Sequence, residues 1–399
     1  MNVYVRELST ALARAGVECD VFTRAWSSGL PAVIPVEPGL RVHHVPAGPL
    51  ESIPKEELPA LVDEFADGVL ERMTGSGPVS AAWATSDVSY DAIHANYWLS
   101  GIAGHRLKHE LDLPLVSTFH TLDRVKAESS PEEVSSDEPH RRQGAEAAVM
   151  ACSEVVLASC SVEADQLVTL YDADPDRIRI VAPGVDHAFF APGHRPQARR
   201  AVGLPADGPL LAFVGRIQPL KGADVAIKVM KALLPAVPDL HMVVVGGPSG
   251  PHGEAHLAAL HAQVESVGLE RRVIFVDPQP HELLSTYYRA ADVCLVPSRS
   301  ESFGLVALEA AACGTPVVAS AVGGLTTLVD DGATGFLVEG NDIDGFARAV
   351  SKLLDDPSSA EGIAANAVLR SRNFTWAKAA SLLVSTYEEL AAERLVGCR

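Results

Sequence analysis

Two glutamates, Glu301 and Glu309, stand eight residues apart in a stretch whose composition suggests chemistry. The stretch is SRSESFGLVALEAAACGTP, residues 298–316, and it places a glycine and a run of small apolar residues between the two acids. It predicts a loop that carries Glu301, then a helix that ends near Gly314. Glu309 would lie about one and a half turns inside that helix.

The start of this helix is suited to hold an anion. The N–H groups near Gly304 and Leu305 have no helical partner, and the helix dipole favours negative charge there. Carboxylates on either side of the anion would accept hydrogen bonds from hydroxyl groups. This layout suits a nucleotide sugar, in which phosphates lie between a ribose and a hexose. The bare spacing is also compatible with an ordinary helix that has one acid before it and one exposed acid.

Two cations follow an apolar strand-like run in FVGRIQPLKG. Arg216 and Lys221 lie in the loop after that run, and Gly222 opens the next helix. Cations at this place would neutralise a pyrophosphate leaving group without a divalent metal. Taken alone, they could also be solvated charges of a surface loop. Together with the glutamate loop at the same sheet edge, they favour an anion-binding site.

Short apolar runs alternate with helix-period segments along the whole chain, which predicts parallel α/β sheets. The proline- and glycine-rich segment Ala182–Pro209 predicts a linker, after which the alternation starts again. We therefore predict two doubly wound, Rossmann-like domains, residues 1–185 and 186–374, that face each other across a cleft. Residues 375–399 are expected to form a helix that packs back on the first domain. Residues 25–39 are expected to form a loop.

Bulk composition excludes several classes of protein. The chain has 399 residues, 47% of them hydrophobic, which is enough for two cores. Its formal net charge of −19 argues against broad nucleic-acid binding. No apolar run approaches the roughly 20 residues of a membrane span. Six scattered cysteines without a CxxC pair, and no secretory leader, favour the cytoplasm. The oligomeric state is open, a homodimer included.

Three segments in this order resemble a known family: GRIQPLKG, SRSESFGLVALEAAACGTPVVAS and VGGLTTLVDDGATGFLV. They are similar to the retaining glycosyltransferases of GT-B fold, whose E-x7-E signature matches Glu301 and Glu309. The resemblance implies that Glu309 holds the ribose of a UDP-sugar and that Glu301 holds its hexose. The residues implied to bind the donor are Arg216, Lys221, Gln279, Glu301, Gly304, Leu305 and Glu309.

Other segments, among them NYWLSG, TFHTLDRVK and YDADPDRIRIVAPGVD, resemble the D-inositol-3-phosphate glycosyltransferases within that family. This resemblance implies transfer of N-acetylglucosamine from its UDP donor to 1D-myo-inositol 3-phosphate, in mycothiol biosynthesis. The first domain would then bind the acceptor and the second the nucleotide sugar. Lysine, arginine and hydroxyl side chains suit a phosphate dianion. The residues implied to contact the acceptor are Asn2, Lys55, Tyr97, Thr121 and Arg141.

His120 ends the strand PLVSTFH and is expected to point into the cleft. The resemblance implies a front-face reaction in which the departing phosphate takes the acceptor proton. On this view the implied catalytic residues are His120, Arg216, Lys221 and Glu301, and His120 positions the sugar instead of acting as a base. A histidine of the core is the alternative. No Asp or Glu stands out as a nucleophile.

The chain departs from the family pattern in three places. Met1 matches a methionine that normally follows a strand and a glycine-rich loop, so the first strand of the first domain is expected to be absent. Asn96 stands where a second histidine is common, and Gln279 where an arginine is common. The last two differences weaken the acceptor assignment and leave the donor class unchanged.

The resemblance also implies a site for a structural Mg²⁺, whereas the chemistry itself requires no cofactor. Carbonyl oxygens suit this hard cation. The implied backbone ligands are Tyr288, Arg289, Ala291 and Thr315.

The sequence is also compatible with two alternative functions. A related transferase of the same fold, making a sucrose-like or phosphoinositide mannoside product, would share the donor residues. A lipid acceptor would need a basic amphipathic surface, which the acidic first domain lacks. The chain could also bind a nucleotide sugar without turnover, because its first strand is expected to be absent.

Overall fold

The computed structural model describes residues 2–75, 89–129, 139–250, 252–391 and 395–397, which form two α/β domains. The chain crosses between the domains near Val185 and again near Phe374, and the Val185 N–H donates to the Phe374 carbonyl at 3.2 Å. The two crossings are closely packed, because a Cβ on Gly184 would lie 2.1 Å from the Trp376 nitrogen. No helix among the described residues is long and apolar enough to cross a membrane.

The described strands of the first domain form two sheets. Strands β4, β5, β6 and β7 form a parallel sheet in that order, and β1, β3 and β2 form another. The strands are β1 (Cys19–Arg24), β2 (Val33–Glu37), β3 (Leu40–Val45), β4 (Ile93–Asn96), β5 (Leu115–Thr118), β6 (Val155–Ala158) and β7 (Ile178–Ile180). The helices are α1 (Asn2–Arg14), α2 (Val62–Thr74), α3 (Trp98–Leu111), α4 (Asp123–Ser129), α5 (Pro139–Cys152) and α6 (Ser161–Tyr171).

Strand β2 corrects the expected loop over residues 25–39. It pairs antiparallel with β3, with an irregularity of register between Pro35 and Glu37. Proline within VIPVE hides the strand pattern, yet an edge strand tolerates a residue without an N–H donor. The expected absence of a strand before Met1 stays a prediction.

The second domain is a doubly wound sheet with all strands parallel, in the order β10-β9-β8-β11-β12-β13. Its strands are β8 (Leu210–Val214), β9 (His241–Val245), β10 (Val273–Val276), β11 (Val293–Val296), β12 (Val317–Ser320) and β13 (Phe336–Val338). The direction of winding reverses between β8 and β11, so the loops after these strands meet at one point of the carboxyl edge.

Helices of this part of the chain cover both faces of that sheet, except for the last, which leaves the domain. They are α7 (Arg195–Ala201), α8 (Ala223–Leu233), α9 (Gly253–Ser266), α10 (His281–Ala290), α11 (Leu305–Ala312), α12 (Leu325–Leu328), α13 (Ile343–Asp355), α14 (Pro357–Ser371) and α15 (Trp376–Ala391).

The expected linker is more ordered than its composition suggests, because it contains α7. Arg199 of this helix is buried, and its guanidinium donates to the Ala290 carbonyl at 2.9 Å and to the Asp292 carboxylate at 2.7 Å. The segment is therefore packed against the second domain and is not a free tether.

Helix α15 packs on the first domain. The Tyr4 and Trp376 rings meet edge to face with centroids 5.5 Å apart, inside a cluster that also holds Leu8 and Leu383. The N-terminal and C-terminal helices thus form one apolar layer with β5 and β6.

His94 of β4 is hydrogen-bonded to α15 and should make the stability of the protein depend on pH. Its ring lies 2.8 Å from the hydroxyls of Thr118 and Tyr387, and burial lowers its pKa to about 4. The unfolded chain, with a pKa of 6.5, takes up the proton first, so stability falls as the pH drops from 6.5 towards 4. At pH 5 the loss is about 2 kcal/mol.

Denaturant titrations between pH 7 and pH 5 measure this loss in the free energy of unfolding. The difference in unfolding free energy between wild type and His94→Gln should shrink by that amount as the pH falls. Substitution of the exposed His252 serves as the control. A constant difference over this range would show that His94 does not titrate on unfolding.

Candidate active site

An ion pair joins the two loops at the switch point of the second domain. The Lys221 Nζ lies 2.6 Å from the Glu301 Oε2, and the Ser298 hydroxyl donates to the same oxygen at 3.3 Å. Both partners are largely buried, with 21% and 16% of their side chains exposed. Arg216 lies exposed in the same loop as Lys221. The loop after β8 thus pairs Lys221 with Glu301 and leaves Arg216 exposed to solvent at the cleft.

A glycine sets the approach of these loops. Gly222 has φ +71° between a short 3-10 turn, Pro219–Lys221, and α8. A Cβ at this position would lie 2.0 Å from the Pro297 carbonyl oxygen, at the end of β11. The close contact of backbones brings Lys221 within reach of Glu301.

Glu309 is buried in α11 and has two hydrogen-bond partners that no sequence motif indicated. His281 lies 2.7 Å from the Oε1 of Glu309, and the Tyr288 hydroxyl donates to its Oε2 at 2.9 Å. Burial alone would lower the pKa of His281, but the hydrogen bond and charge of Glu309 outweigh it and raise the pKa. A carboxylate oxygen accepts more than one hydrogen bond, so both oxygens keep capacity for a ligand hydroxyl.

Helix α11 starts as the sequence predicts. Gly304 precedes its first residue, Leu305, with φ +107°. Gln279 lies half-buried after β10, and its amide donates to the Asp277 carbonyl at 2.9 Å. The predicted donor residues therefore lie on loops that follow strands of this sheet, at the start of α11, or, for Glu309, inside α11.

His120 lies in the first domain with an unusual backbone conformation, φ +62°. Its Nε2 lies 2.9 Å from the Asn96 side-chain oxygen, and its ring meets the Tyr4 ring edge to face at 4.6 Å. Burial lowers the pKa of His120 to about 3. The imidazole is therefore neutral near pH 7 and carries no positive charge into the cleft.

Ser302, next to Glu301, connects the two domains. Its hydroxyl donates to the His120 carbonyl at 2.7 Å, and its own carbonyl accepts from the Ser159 hydroxyl at 3.1 Å. The Gly324 N–H donates to the Glu301 carbonyl at 3.0 Å. The glutamate loop is thereby fixed to both domains, a contact that no sequence motif indicated.

Ser302→Ala should lower turnover while leaving the affinity for UDP within about twofold. The variant removes one neutral hydrogen bond, worth about 0.5–1.5 kcal/mol, between the Glu301 loop and His120. Because the residues predicted to bind the nucleotide lie within the second domain, only steps that need both domains should suffer. Steady-state kinetics and calorimetry separate the two effects. Equal losses in UDP affinity and turnover would argue against a role in joining the domains.

A cluster in the first domain joins two of the five predicted acceptor residues through an arginine. The Arg142 guanidinium donates to the Thr121 carbonyl at 2.8 Å and to its hydroxyl at 3.1 Å, and it lies 5.2 Å from the centre of the Tyr97 ring. Glu146, fully buried, accepts from Arg142 at 2.8 Å. The Arg142 charge is thus neutralised by Glu146 inside the fold, and the guanidinium orients Thr121 and Tyr97.

The other three predicted acceptor residues are exposed. Arg141 precedes Arg142 in α5, and Asn2 is the first residue of α1. Lys55 makes an ion pair with Glu56 at 3.7 Å. No hydrogen bond among the described residues joins the side chains of these three to Tyr97 or Thr121.

The expected magnesium ligands lie together, at the end of α10 and just before β12. The Tyr288 carbonyl accepts from the Thr315 hydroxyl at 2.7 Å and from the Ala291 N–H at 3.1 Å. A carbonyl oxygen has two lone pairs, so a cation here would have to displace one donor. The residues as arranged therefore do not fit Mg²⁺ at the Tyr288 carbonyl.

Comparisons with known proteins agree with this architecture. Residues 1–184 match the model of the glycosyl transferase 4-like domain, and residues 194–370 match that of the glycosyl transferases group 1. The chain is 45% identical to a protein of Kribbella flavida named D-inositol 3-phosphate glycosyltransferase, over 98% of this chain and 92% of the relative. A protein of the same name from Acidothermus cellulolyticus is 44% identical, over 99% and 86%.

Solved structures show the same fold. A sucrose-phosphate synthase from Thermosynechococcus elongatus superposes with a TM-score of 0.84 at 34% identity, over 98% of this chain and 93% of the other. The Anabaena protein HepE, in complex with UDP-glucose, superposes with a TM-score of 0.71 at 22% identity, over 87% and 86%. The chain therefore belongs to the group 1 glycosyltransferases of GT-B fold and is an enzyme of the family that includes the D-inositol 3-phosphate glycosyltransferases.

Proposed function

We propose that this enzyme transfers N-acetylglucosamine from UDP-N-acetylglucosamine to 1D-myo-inositol 3-phosphate with retention at the anomeric carbon, the first step of mycothiol biosynthesis. The choice of a nucleotide-sugar donor is supported by two glutamates that are fixed by hydrogen bonds. Glu301 is paired with Lys221, and Glu309 is paired with His281 and Tyr288. They flank the start of α11, where a diphosphate would lie. The choice of acceptor is supported by the name of the similar proteins, D-inositol 3-phosphate glycosyltransferase.

The donor is proposed to lie along the carboxyl edge of the second domain. Glu309 would accept hydrogen bonds from the ribose, and Gln279 would contact the uracil. The N–H groups at Gly304 and Leu305, with Arg216 and Lys221, would hold the diphosphate. Glu301 would then face the hexose, close to the first domain through Ser302.

In the proposed reaction the acceptor hydroxyl attacks the anomeric carbon on the face that the diphosphate leaves. The bond from carbon to phosphate oxygen breaks, the new carbon–oxygen bond forms, and the departing phosphate oxygen takes the acceptor proton. Lys221 and Arg216 stabilise the charge that grows on the diphosphate. Neutral His120 is unable to repel the positive charge that develops on the sugar, and it positions the hexose. We propose that this transfer needs no cofactor.

The acceptor phosphate is proposed to meet the first domain at Arg141 and Lys55, with Asn2, Tyr97 and Thr121 around it. Arg141 and Lys55 are exposed cations, whereas the neighbouring Arg142 is occupied by Glu146 and Thr121. A doubly charged phosphate is attracted to cations that still have donors to offer.

A second acceptor class is favoured by the structural likeness to a sucrose-phosphate synthase, which covers 98% of this chain. In that case the donor residues keep their roles and the first domain takes another phosphorylated sugar or polyol.

The test is UDP release from UDP-N-acetylglucosamine and from UDP-glucose with a panel of acceptors. The panel contains 1D-myo-inositol 3-phosphate, its enantiomer, unphosphorylated inositol and fructose 6-phosphate. We expect the highest kcat/KM for N-acetylglucosamine transfer to the 3-phosphate, and a large loss for inositol without phosphate. Preference for fructose 6-phosphate would support the second class. UDP binding without release for every acceptor would mean that the chain only binds nucleotide sugars.

A further inference from the structure

Glu163 is a buried acid that the proposed reaction does not use. It lies in the first turn of α6 and is 5% exposed, and among the described residues no lysine or arginine is paired with it. Its Oε2 accepts a hydrogen bond from the Ser159 N–H at 2.7 Å and is also hydrogen-bonded to the Ser159 hydroxyl. A buried carboxylate without a cation is costly, because the protein interior solvates charge poorly.

Ser159 places the same hydroxyl at the contact between the two domains. This residue follows β6, and its Oγ lies 3.1 Å from the Ser302 carbonyl oxygen, in the loop that carries Glu301. The Cys160 Sγ lies 3.5 Å from that oxygen, and a thiol is a weak donor. Ser302 is thus held to the first domain through two groups, since its own hydroxyl donates to the His120 carbonyl.

The number of hydrogens at this contact constrains the protonation of Glu163. A serine hydroxyl carries one hydrogen, but the Ser159 Oγ lies within reach of two acceptors, the Glu163 Oε2 and the Ser302 carbonyl. If the acid is ionised, one of these two contacts has no hydrogen. If the acid carries a proton, it donates to the Ser159 Oγ, and the hydroxyl hydrogen is available to the Ser302 carbonyl.

An ionised helix cap is the competing interpretation of Glu163. A glutamate at the third helical position commonly accepts from an N–H before the helix, and the helix dipole favours its negative charge. Burial acts in the opposite direction and raises the pKa of Glu163, although the hydrogen bonds from Ser159 lower it. Its titratable neighbours, Tyr4 and Cys160, have pKa values raised by burial and bring no positive charge. Only the protonated acid accounts for both contacts of the Ser159 hydroxyl.

We propose that Glu163 is a protonated positioning residue, which turns the Ser159 hydroxyl towards the Ser302 carbonyl and so fixes the Glu301 loop to the first domain. The inference rests on the proposed function, in which Glu301 faces the hexose. When the acid gives its proton to water, the Ser159 hydroxyl turns to the carboxylate, and the Ser302 carbonyl keeps only the thiol of Cys160. Turnover should therefore fall as the pH rises through the pKa of Glu163.

Infrared spectroscopy tests the proton directly. The carbonyl stretch of a protonated carboxyl group is separated from the carboxylate bands, and the difference spectrum between wild type and Glu163→Gln isolates this one residue. We expect the band of the protonated acid at pH 7 and its loss as the pH is raised. A spectrum in which Glu163 is ionised at pH 7 would overturn the proposal. The measurement needs neither donor nor acceptor, so its result does not depend on the proposed function.

Kinetics over a range of pH, with the best acceptor of the panel above, test the positioning role. Glu163→Gln keeps a hydrogen-bond donor and does not ionise, so its turnover should lack the alkaline decrease of the wild type. Ser159→Ala should lower turnover about 2- to 10-fold, the loss expected from one neutral hydrogen bond, and should also lack the decrease. UDP affinity should stay within about twofold in both variants, because the residues predicted to bind the nucleotide lie in the second domain and one neutral hydrogen bond is lost at most.

Asp165→Asn is the matched control, because it removes an exposed acid from the same helix and should leave the pH profile unchanged. An alkaline decrease that persists in Glu163→Gln would overturn the positioning role. Ser159 is only half-buried, so Ser159→Ala is expected to fold. A persistent decrease in that variant would overturn the role even if Glu163→Gln did not fold.

Discussion

Lys221→Ala is expected to lower kcat by about 10²- to 10³-fold, the cost of removing one preorganised donor from developing negative charge. Lys221 lies 2.6 Å from Glu301, in the loop that packs its backbone on the end of β11. Charge grows on the diphosphate only as the glycosidic bond breaks. The loss should therefore appear in kcat and not in KM alone, which steady-state kinetics with UDP-N-acetylglucosamine measures.

Lys228→Ala is the matched control for this variant. Lys228 lies on the next helix and forms an exposed pair with Asp224 at 3.1 Å, so its removal should leave kcat within about twofold. If Lys221→Ala raised KM and left kcat intact, the lysine would serve in binding only.

Glu309→Ala is expected to weaken UDP binding by about 1.5–3 kcal/mol, the range for hydrogen bonds to a charged group. That corresponds to about 10- to 150-fold in Kd. Both carboxylate oxygens are hydrogen-bonded, to His281 at 2.7 Å and to Tyr288 at 2.9 Å, so the side chain would lose little conformational freedom on binding the ribose in the proposed way. Calorimetry of UDP binding measures the effect.

Two further variants serve as controls for this experiment. Glu309→Gln keeps the shape of the side chain and should bind UDP with intermediate affinity, which shows that the loss is not merely unfolding around Tyr288. Glu361→Ala removes an exposed acid from α14 and should leave the affinity unchanged. Full UDP affinity in Glu309→Ala would exclude the ribose contact.

The sequence predicted those parts of the fold that depend on local patterns. The start and the end of α11 could be predicted because a glycine marks each of them. In the structure both glycines, Gly304 and Gly314, have positive φ. Strand β2 was missed because Pro35 interrupts its pattern, and α7 was missed because its proline-rich start resembles a linker. In both cases tertiary contacts outweigh local composition.

Contacts between distant segments could not be predicted in the same way. Tyr288 and His281 lie seven residues apart on one helix face, which is a signal for a shared partner, but nothing in the sequence names Glu309 as that partner. Ser302 and the His120 carbonyl are 182 residues apart. Their contact depends on how the two domains meet, which local patterns do not encode.

The most direct test of the proposed transfer is the linkage of its product. The enzyme is incubated with UDP-N-acetylglucosamine and 1D-myo-inositol 3-phosphate, and the product is examined by mass spectrometry and by the anomeric proton signal in NMR. The α-configuration of the donor should be kept, so we predict one N-acetylglucosamine joined to inositol phosphate by an α-linkage. A β-linked product, or hydrolysis of the donor without any inositol adduct, would contradict the account.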